Sequence, residues 1–293
     1  MPALQLSINC HGRLLTFDRP RVMAIVNLSP ESFYDGDRAG AGEEALVRRV
    51  ATCLREGAAI VDLGGASSKP GISETPAELE RARVARALEL LRPAFPEAIF
   101  SVDTYRAAVA AAALERGAAI VNDISAGRAD PEMWPLVGAW GVPFVAMHRS
   151  GPSDTMQDDP TYAAGVVEEV YGAFTDVLTR AREHRVDDVV LDPGFGFGKT
   201  DEHNFTLLAR LRDFRFLRCP LLVGLSRKSM LQRTIGAGPA AALNATTAAH
   251  VLALQGGADI LRVHDVRAAA EAIAVYGAFA ARNPYGLPDV PLH

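Results

Sequence analysis

The chain has 293 residues, 49% of them hydrophobic and 7% aromatic, with a formal net charge of −5. That is long for an average domain but ordinary for one α/β barrel of about 250 residues or more, with a core built mainly from Ala, Val, Leu and Ile. The charge argues against general affinity for nucleic acid, no run of about 20 apolar residues would cross a bilayer, and the opening MPALQLSINCHGR lacks the basic-then-apolar order of a secretory signal. Cys10, Cys53 and Cys219 are too few and too scattered for a disulfide framework or a paired-cysteine metal site. A reducing compartment, the cytoplasm, is therefore expected.

Residues 4–9 and 13–17 alternate around His11-Gly12 and predict a short β-hairpin. Beyond it, apolar runs near 22–27, 59–64, 98–103, 119–123, 142–147, 188–192, 220–224 and 259–263 are short and rich in Val, Ile and Leu, as strands buried on both faces are. Segments with helical spacing lie between them, among them 76–92, 105–116, 161–184 and 240–255. EGAAIVDLGG (56–65), RGAAIVNDIS (116–125), WGVPFVAMH (140–148) and GGADILRVHD (256–265) repeat one order: helix end, glycine, strand, polar residues. Glycine just past a helix accepts the left-handed conformation that stops it. Eight strands in such a series predict a single (β/α)₈ TIM barrel over an open doubly wound sheet, and no GxGxxG follows the first strand. One domain is expected, with the hairpin in 1–20, the barrel in 21–282 and a tail at 283–293.

In this architecture the active site lies at the C-terminal strand ends. Those ends carry Asn27, Asp62, Asp103, Asn122-Asp123, Met147-His148, Asp192, Gly224 to Lys228, and Arg262 with His264. Arg262, His264, Lys228 and Lys69 suit an anion, and Asp192, Asp103 and Asn122 suit the N–H edge of a flat heterocycle. Asn27 offers a hard oxygen for Mg²⁺ shared with phosphate. Only three of the 30 basic residues are lysines, Lys69, Lys199 and Lys228, and all lie in loops after predicted strands. Codon bias explains that ratio but not those places. Lys199 reads as turn or helix-start packing and His148 as a structural histidine, while Asp62 and Asp123 read equally as buried hydrogen-bond hubs. GFGFG (194–198) is a weak phosphate-loop signal, and its glycines better suit close backbone approach to a ring.

MAIVNLSPESFYDGD (23–37), GAAIVDLGGASSKPG (57–71), SVDT (101–104), VNDISA (121–126), MHRSGPSDTMQDDPTY (147–162), LDPGFGFGKT (191–200), GLSRKSM (224–230) and GADILRVHDV (257–266) stand in one order over about residues 21–270. This series resembles the dihydropteroate synthases. The resemblance implies condensation of 6-hydroxymethyl-7,8-dihydropterin pyrophosphate with p-aminobenzoate, giving 7,8-dihydropteroate and pyrophosphate in folate biosynthesis, with Mg²⁺ as cofactor, sulfonamide sensitivity and a homodimer. It implies a pterin site of Asp103, Asn122, Met147, Asp192, Phe197, Lys228 and Arg262, of which Asp103, Lys228 and Arg262 also serve catalysis. It implies pyrophosphate contacts at Asn27, Ser68, Lys69, Arg262 and His264, p-aminobenzoate contacts at Phe33, Pro70, Lys228 and Ser229, and Asn27 as the metal ligand.

The sequence departs from the family in one loop. Where the family reads close to GGESTRPG, this chain has Gly64-Gly65-Ala66-Ser67-Ser68-Lys69-Pro70-Gly71, so a glutamate is lost, a threonine becomes serine and an arginine becomes lysine. Charge and hydroxyl survive, but bidentate contact with phosphate does not. A pterin-binding methyltransferase domain and a non-catalytic pterin-binding paralogue are the competing readings. NLSPESFYDGD and SRKS oppose the first, and the altered loop is the sole support of the second.

Overall fold

The computed structural model describes residues 6–28, 39–66, 75–151, 156 and 158–282. A hairpin of β1 (Ser7–Cys10) and β2 (Arg13–Thr16) precedes β3 (Arg21–Asn27), α1 (Ala39–Arg55), β4 (Ala58–Gly64), α2 (Ala77–Ala94) and β5 (Ile99–Asp103). The chain continues through α3 (Ala107–Leu114), β6 (Ile120–Asp123), α4 (Met133–Trp140), β7 (Phe144–Met147), α5 (Val166–Glu183), β8 (Val189–Asp192) and α6 (Asp201–Ala209). A 3₁₀ turn (Leu211–Leu217), β9 (Leu222–Val223), α7 (Ser229–Thr234), α8 (Leu243–Gln255), β10 (Ile260–Val263) and α9 (Val266–Ala280) complete it.

The eight strands from β3 to β10 are parallel, in the order β8-β7-β6-β5-β4-β3-β10-β9. A parallel bridge between Leu191 and Leu221, with the Leu191 N–H donating to the Pro220 carbonyl at 2.9 Å, joins the two ends. This is the expected TIM barrel. Side chains alternate across each strand, so one parity faces inward and the other faces the helices. Met23, Ile60, Ile99, Ile120, Val145, Val190, Leu222 and Ile260, one from each strand, pack together inside the barrel. Val61, Phe100, Val121, Phe144, Leu191, Val223 and Leu261 belong to the larger core beneath the helices. Burying each such side chain favours folding by about 1.5–3 kcal/mol before chain entropy opposes it.

The hairpin plugs the N-terminal mouth: Ile8, Cys10 and Leu15 join the inner cluster. The Asn9 N–H donates to Asp188 Oδ2 at 2.7 Å, and His11 Nε2 meets the Ala118 carbonyl at 2.8 Å. With that end closed, the opposite end is the open one.

Several elements are shorter than the sequence predicts. The strand expected over 220–224 reduces to Leu222–Val223, since Pro220 has no N–H to donate and Leu221 makes only an isolated bridge. The helix expected over 161–184 starts at Val166, because Gly165 sits at φ +99°, outside helical space. The segment 240–255 divides into a 3₁₀ turn, Pro239–Ala241, and α8. The predicted tail, 283–293, lies outside the described residues.

Candidate active site

The parity that builds the inner core also builds the site. Two residues on from that core stand Asp62, Asn122, Met147, Asp192, Gly224 and Arg262, and four residues on stand Asn27, Asp103 and His264. On β3, β4, β5, β6, β8 and β10 that face therefore changes from aliphatic at the floor to polar at the open end.

Arg262 organises the centre. Its Nε donates to Asp62 Oδ2 at 2.7 Å and its Nη2 to Asp103 Oδ2 at 2.5 Å. Strand β3 separates β10 from β4 and β5, so these bonds cross the barrel interior. Asp62 is fully buried and also accepts from Asn122 Nδ2 at 3.0 Å. With one amide N–H so engaged, Asn122 keeps Oδ1 as an acceptor and its second N–H as a donor. Asp62, readable from sequence as site or hub, is the hub that fixes both Arg262 and Asn122. Burial pushes the Asp103 carboxyl up to about 7, against the opposing pull of Arg262, and the charge of Asp62 adds to the rise. Burial disfavours the Arg262 cation, but Asp62 and Asp103 more than offset this and hold its pKa above the ordinary value.

Asp192 lies across the bowl, in register with Met147 of β7. Its Oδ1 accepts the Gly194 N–H at 2.8 Å. Burial raises its pKa, while that N–H, Lys228 and Arg262 oppose the rise. Lys228 immediately precedes α7, and its Nζ sits 4.3 Å from the centroid of the Phe197 ring, a cation–π contact. Burial lowers Lys228 to about 8, with Asp192 pulling the other way. Met147 is buried at the end of β7, where it also lines a cavity of about 90 Å³ with Arg128, His148 and Phe174.

Asn27 and His264 stand at the rim and are exposed, as is Ser229 on the first turn of α7. A Cβ built on Gly64 would lie 3.7 Å from Asn27 Oδ1 and 3.8 Å from Asp103 Oδ2, so this glycine separates the two side chains. Desolvation at the rim, then Arg262, depresses the His264 imidazole to about 4. Phe33, Ser68, Lys69 and Pro70 lie outside the described residues. The structure thus brings Asp103, Asn122, Met147, Asp192, Phe197, Lys228 and Arg262 around one bowl, with Asn27, His264 and Ser229 at its edge. Among the described residues no group of three or more His, Cys, Asp or Glu side chains could hold a metal.

Sequence reasoning missed the supports. Arg49 Nη2 donates to the His264 carbonyl at 2.9 Å, and Arg227 at φ +54° forms a two-point ion pair with Asp265 at 2.8 and 3.0 Å. Buried Glu80 accepts the Thr104 hydroxyl at 2.6 Å and pairs with Arg106, which also holds the Thr75 carbonyl at 2.8 Å. Nothing local in the sequence marks these residues, because each partner lies on another element.

A family model described as pterin binding enzyme matches residues 23–264. A dihydropteroate synthase of Escherichia coli (strain K12) is 38% identical over 272 residues, covering 92% of this chain and 95% of the relative. One from Mycobacterium leprae (strain TN) is 39% identical over 273 residues, covering 90% and 95%. Among solved structures, the Yersinia pestis dihydropteroate synthase in complex with a sulfonamide drug superimposes with TM-score 0.87 at 33% identity, covering 94% of this chain and 99% of that one. The Thermus thermophilus enzyme in complex with 4-aminobenzoate superimposes with TM-score 0.82 at 38% identity, covering 93% and 99%.

Proposed function

This chain belongs to the dihydropteroate synthases of the pterin-binding enzyme family, and on that premise we propose how its residues carry the reaction. The activity is alkyl transfer in folate biosynthesis. The amine of p-aminobenzoate bonds to the exocyclic carbon of 6-hydroxymethyl-7,8-dihydropterin pyrophosphate, the C–O bond to pyrophosphate breaks, and the amine loses a proton. The observation that carries the residue-level account is the convergence of Asp103, Asn122, Asp192, Lys228 and Arg262 on one bowl.

Asp192 accepts N–H groups of the pterin edge, and Asn122 offers Oδ1 to the same ring. Phe197 and Met147 wall it, and Lys228 stands over it. As the C–O bond breaks, positive charge grows on the pterin methylene and negative charge on the leaving group. Asp103 faces the first. Arg262, whose Nη1 makes no hydrogen bond among the described residues, meets the second together with His264 at the rim. Preorganised charge of this kind is often the largest catalytic contribution, and a dissociative step needs no strong base. Ser68 and Lys69 extend the pyrophosphate contacts, and Phe33, Pro70, Lys228 and Ser229 form the p-aminobenzoate pocket. Lys69, a point charge where the family has arginine, retunes this loop without abolishing it.

Asn27 would hold Mg²⁺ at the rim through its exposed side-chain oxygen, a hard donor that suits this ion. The chemistry it supplies when bound is charge neutralisation on the leaving group. A homodimer is supported by Leu252, Val275 and Phe279 on the contacting α8–α9 pair, which are 52, 68 and 54% exposed. The cytoplasm is supported by the three free cysteines.

Pyrophosphate release from the dihydropterin pyrophosphate with Mg²⁺, measured with and without p-aminobenzoate, tests the reading. Release that depends on p-aminobenzoate, with sulfonamides competing against it, supports the synthase. Pterin binding without release points to the non-catalytic paralogue and to loop 64–71 as its cause.

A further inference from the structure

The chain uses arginine for nearly every cation, yet residue 199 is one of its three lysines. Lys199 is 3% exposed and follows the glycine-rich loop after β8. Its Nζ donates to the Gly194 and Phe197 carbonyls, both at 3.0 Å, and meets His148 Nδ1 at 3.0 Å. These three partners come from the loop and from the end of the neighbouring strand β7. We propose that Lys199 is a positioning residue for the pterin cradle: its amine ties the loop after β8 to the end of β7 and so sets where Asp192, Phe197 and Lys228 stand.

The links to the site are direct. Gly194, held by its carbonyl, donates its own N–H to Asp192 Oδ1 at 2.8 Å. Phe197, held the same way, carries the ring over which Lys228 Nζ sits at 4.3 Å. One amine thus fixes the backbone beneath the group that reads the pterin edge and the group that covers its face. Shape explains the choice of lysine. A Cβ on Gly194 would lie 1.9 Å from the His148 carbonyl oxygen, and one on Gly198 would lie 2.4 Å from that of Ser150. The loop and the end of β7 therefore touch backbone to backbone, leaving room for a compact head group with diverging bonds. A planar guanidinium fork satisfies neither the space nor the three directions.

The inference rests on the synthase reading, so its test compares two ligands. The full-length wild-type chain, Lys199→Met and Lys199→Arg are titrated calorimetrically with 6-hydroxymethyl-7,8-dihydropterin pyrophosphate and Mg²⁺, then with inorganic pyrophosphate and Mg²⁺. Circular dichroism checks folding. Both variants should fold and lose pterin affinity by ~10- to 100-fold, the range for misaligning the charge-assisted hydrogen bond at Asp192. Their pyrophosphate affinity should stay within about twofold, because Asn27, Arg262 and His264 share no hydrogen-bond partner with Lys199 among the described residues. Wild-type pterin affinity in either variant, equal losses for both ligands, or failure of both variants to fold overturns the proposal. A wild-type chain that ignores the pterin compound overturns the synthase reading itself, and the proposal falls with it.

Discussion

Asp62→Ala tests how the bowl is held. Asp62 has no exposure, and its Oδ2 accepts the Arg262 Nε–H at 2.7 Å and an Asn122 Nδ2–H at 3.0 Å. Alanine strands both donors. Each stranded buried donor costs about 1–3 kcal/mol. Arg262 keeps Asp103 and is 21% exposed, so the loss should fall near 2–4 kcal/mol, below the ~3–5 kcal/mol for breaking a fully buried pair. Asp62→Asn separates charge from geometry. An amide oxygen in the place of Oδ2 still accepts both hydrogens, and the NH₂ takes the place of Oδ1, which has no hydrogen-bond partner among the described residues. That variant should lose about 1–3 kcal/mol, because both bonds give up charge assistance and the amide buries a donor with no partner, yet it should keep pterin affinity where Asp62→Ala loses it. Urea unfolding of the three proteins measures the losses, and pterin titration reports whether Asn122 keeps its orientation. Equal stability of Asp62→Ala and wild type, or equal loss of pterin affinity in the two variants, would refute the hub.

Other outcomes follow from the same geometry. Asp192→Ala should weaken pterin binding by about 1.5–3 kcal/mol, the range for a charge-assisted bond, and unchanged affinity by calorimetry would remove Asp192 from the recognition edge. Asp103 has a folded pKa raised from 3.8 to about 7, mainly by burial, so its contribution to stability is full below 3.8 and is lost as pH rises through about 7. Melting temperatures across that window should decline less in Asp103→Asn than in wild type. An identical decline would show that Asp103 does not titrate there. His250 is buried on α8 with no hydrogen-bond partner at either ring nitrogen among the described residues, and burial depresses its pKa from 6.5 to about 4. The stability it preserves above 6.5 is lost as pH falls toward 4, so His250→Leu should resist acid unfolding better than wild type. A midpoint that does not move would count against the imidazole as the acid-sensitive group.

The eight strands, the glycines that end helices and the polar strand ends are legible in the sequence because each is a local property. A period of two decides which side chains share a face, and that face carries aliphatic residues at Ile60, Ile120, Val190 and Ile260 and polar ones two positions later at Asp62, Asn122, Asp192 and Arg262. Element ends were less legible at 161–165 and 220–221, where a positive φ and a missing N–H act through backbone geometry. The partners of those polar groups were not legible at all. Arg262 reaches Asp62 and Asp103 across 200 and 159 residues, and Lys199 reaches His148 across 51. Such pairings exist only once the ring of strands has closed. The sequence by itself therefore determined the barrel, the end of it that carries chemistry and the kinds of groups placed there. The tertiary structure alone decided that Asp62 is a hub, that Lys199 bridges the loop after β8 and the end of β7, and that burial raises the Asp103 carboxyl. Each of these depends on burial and on charges brought together from distant strands.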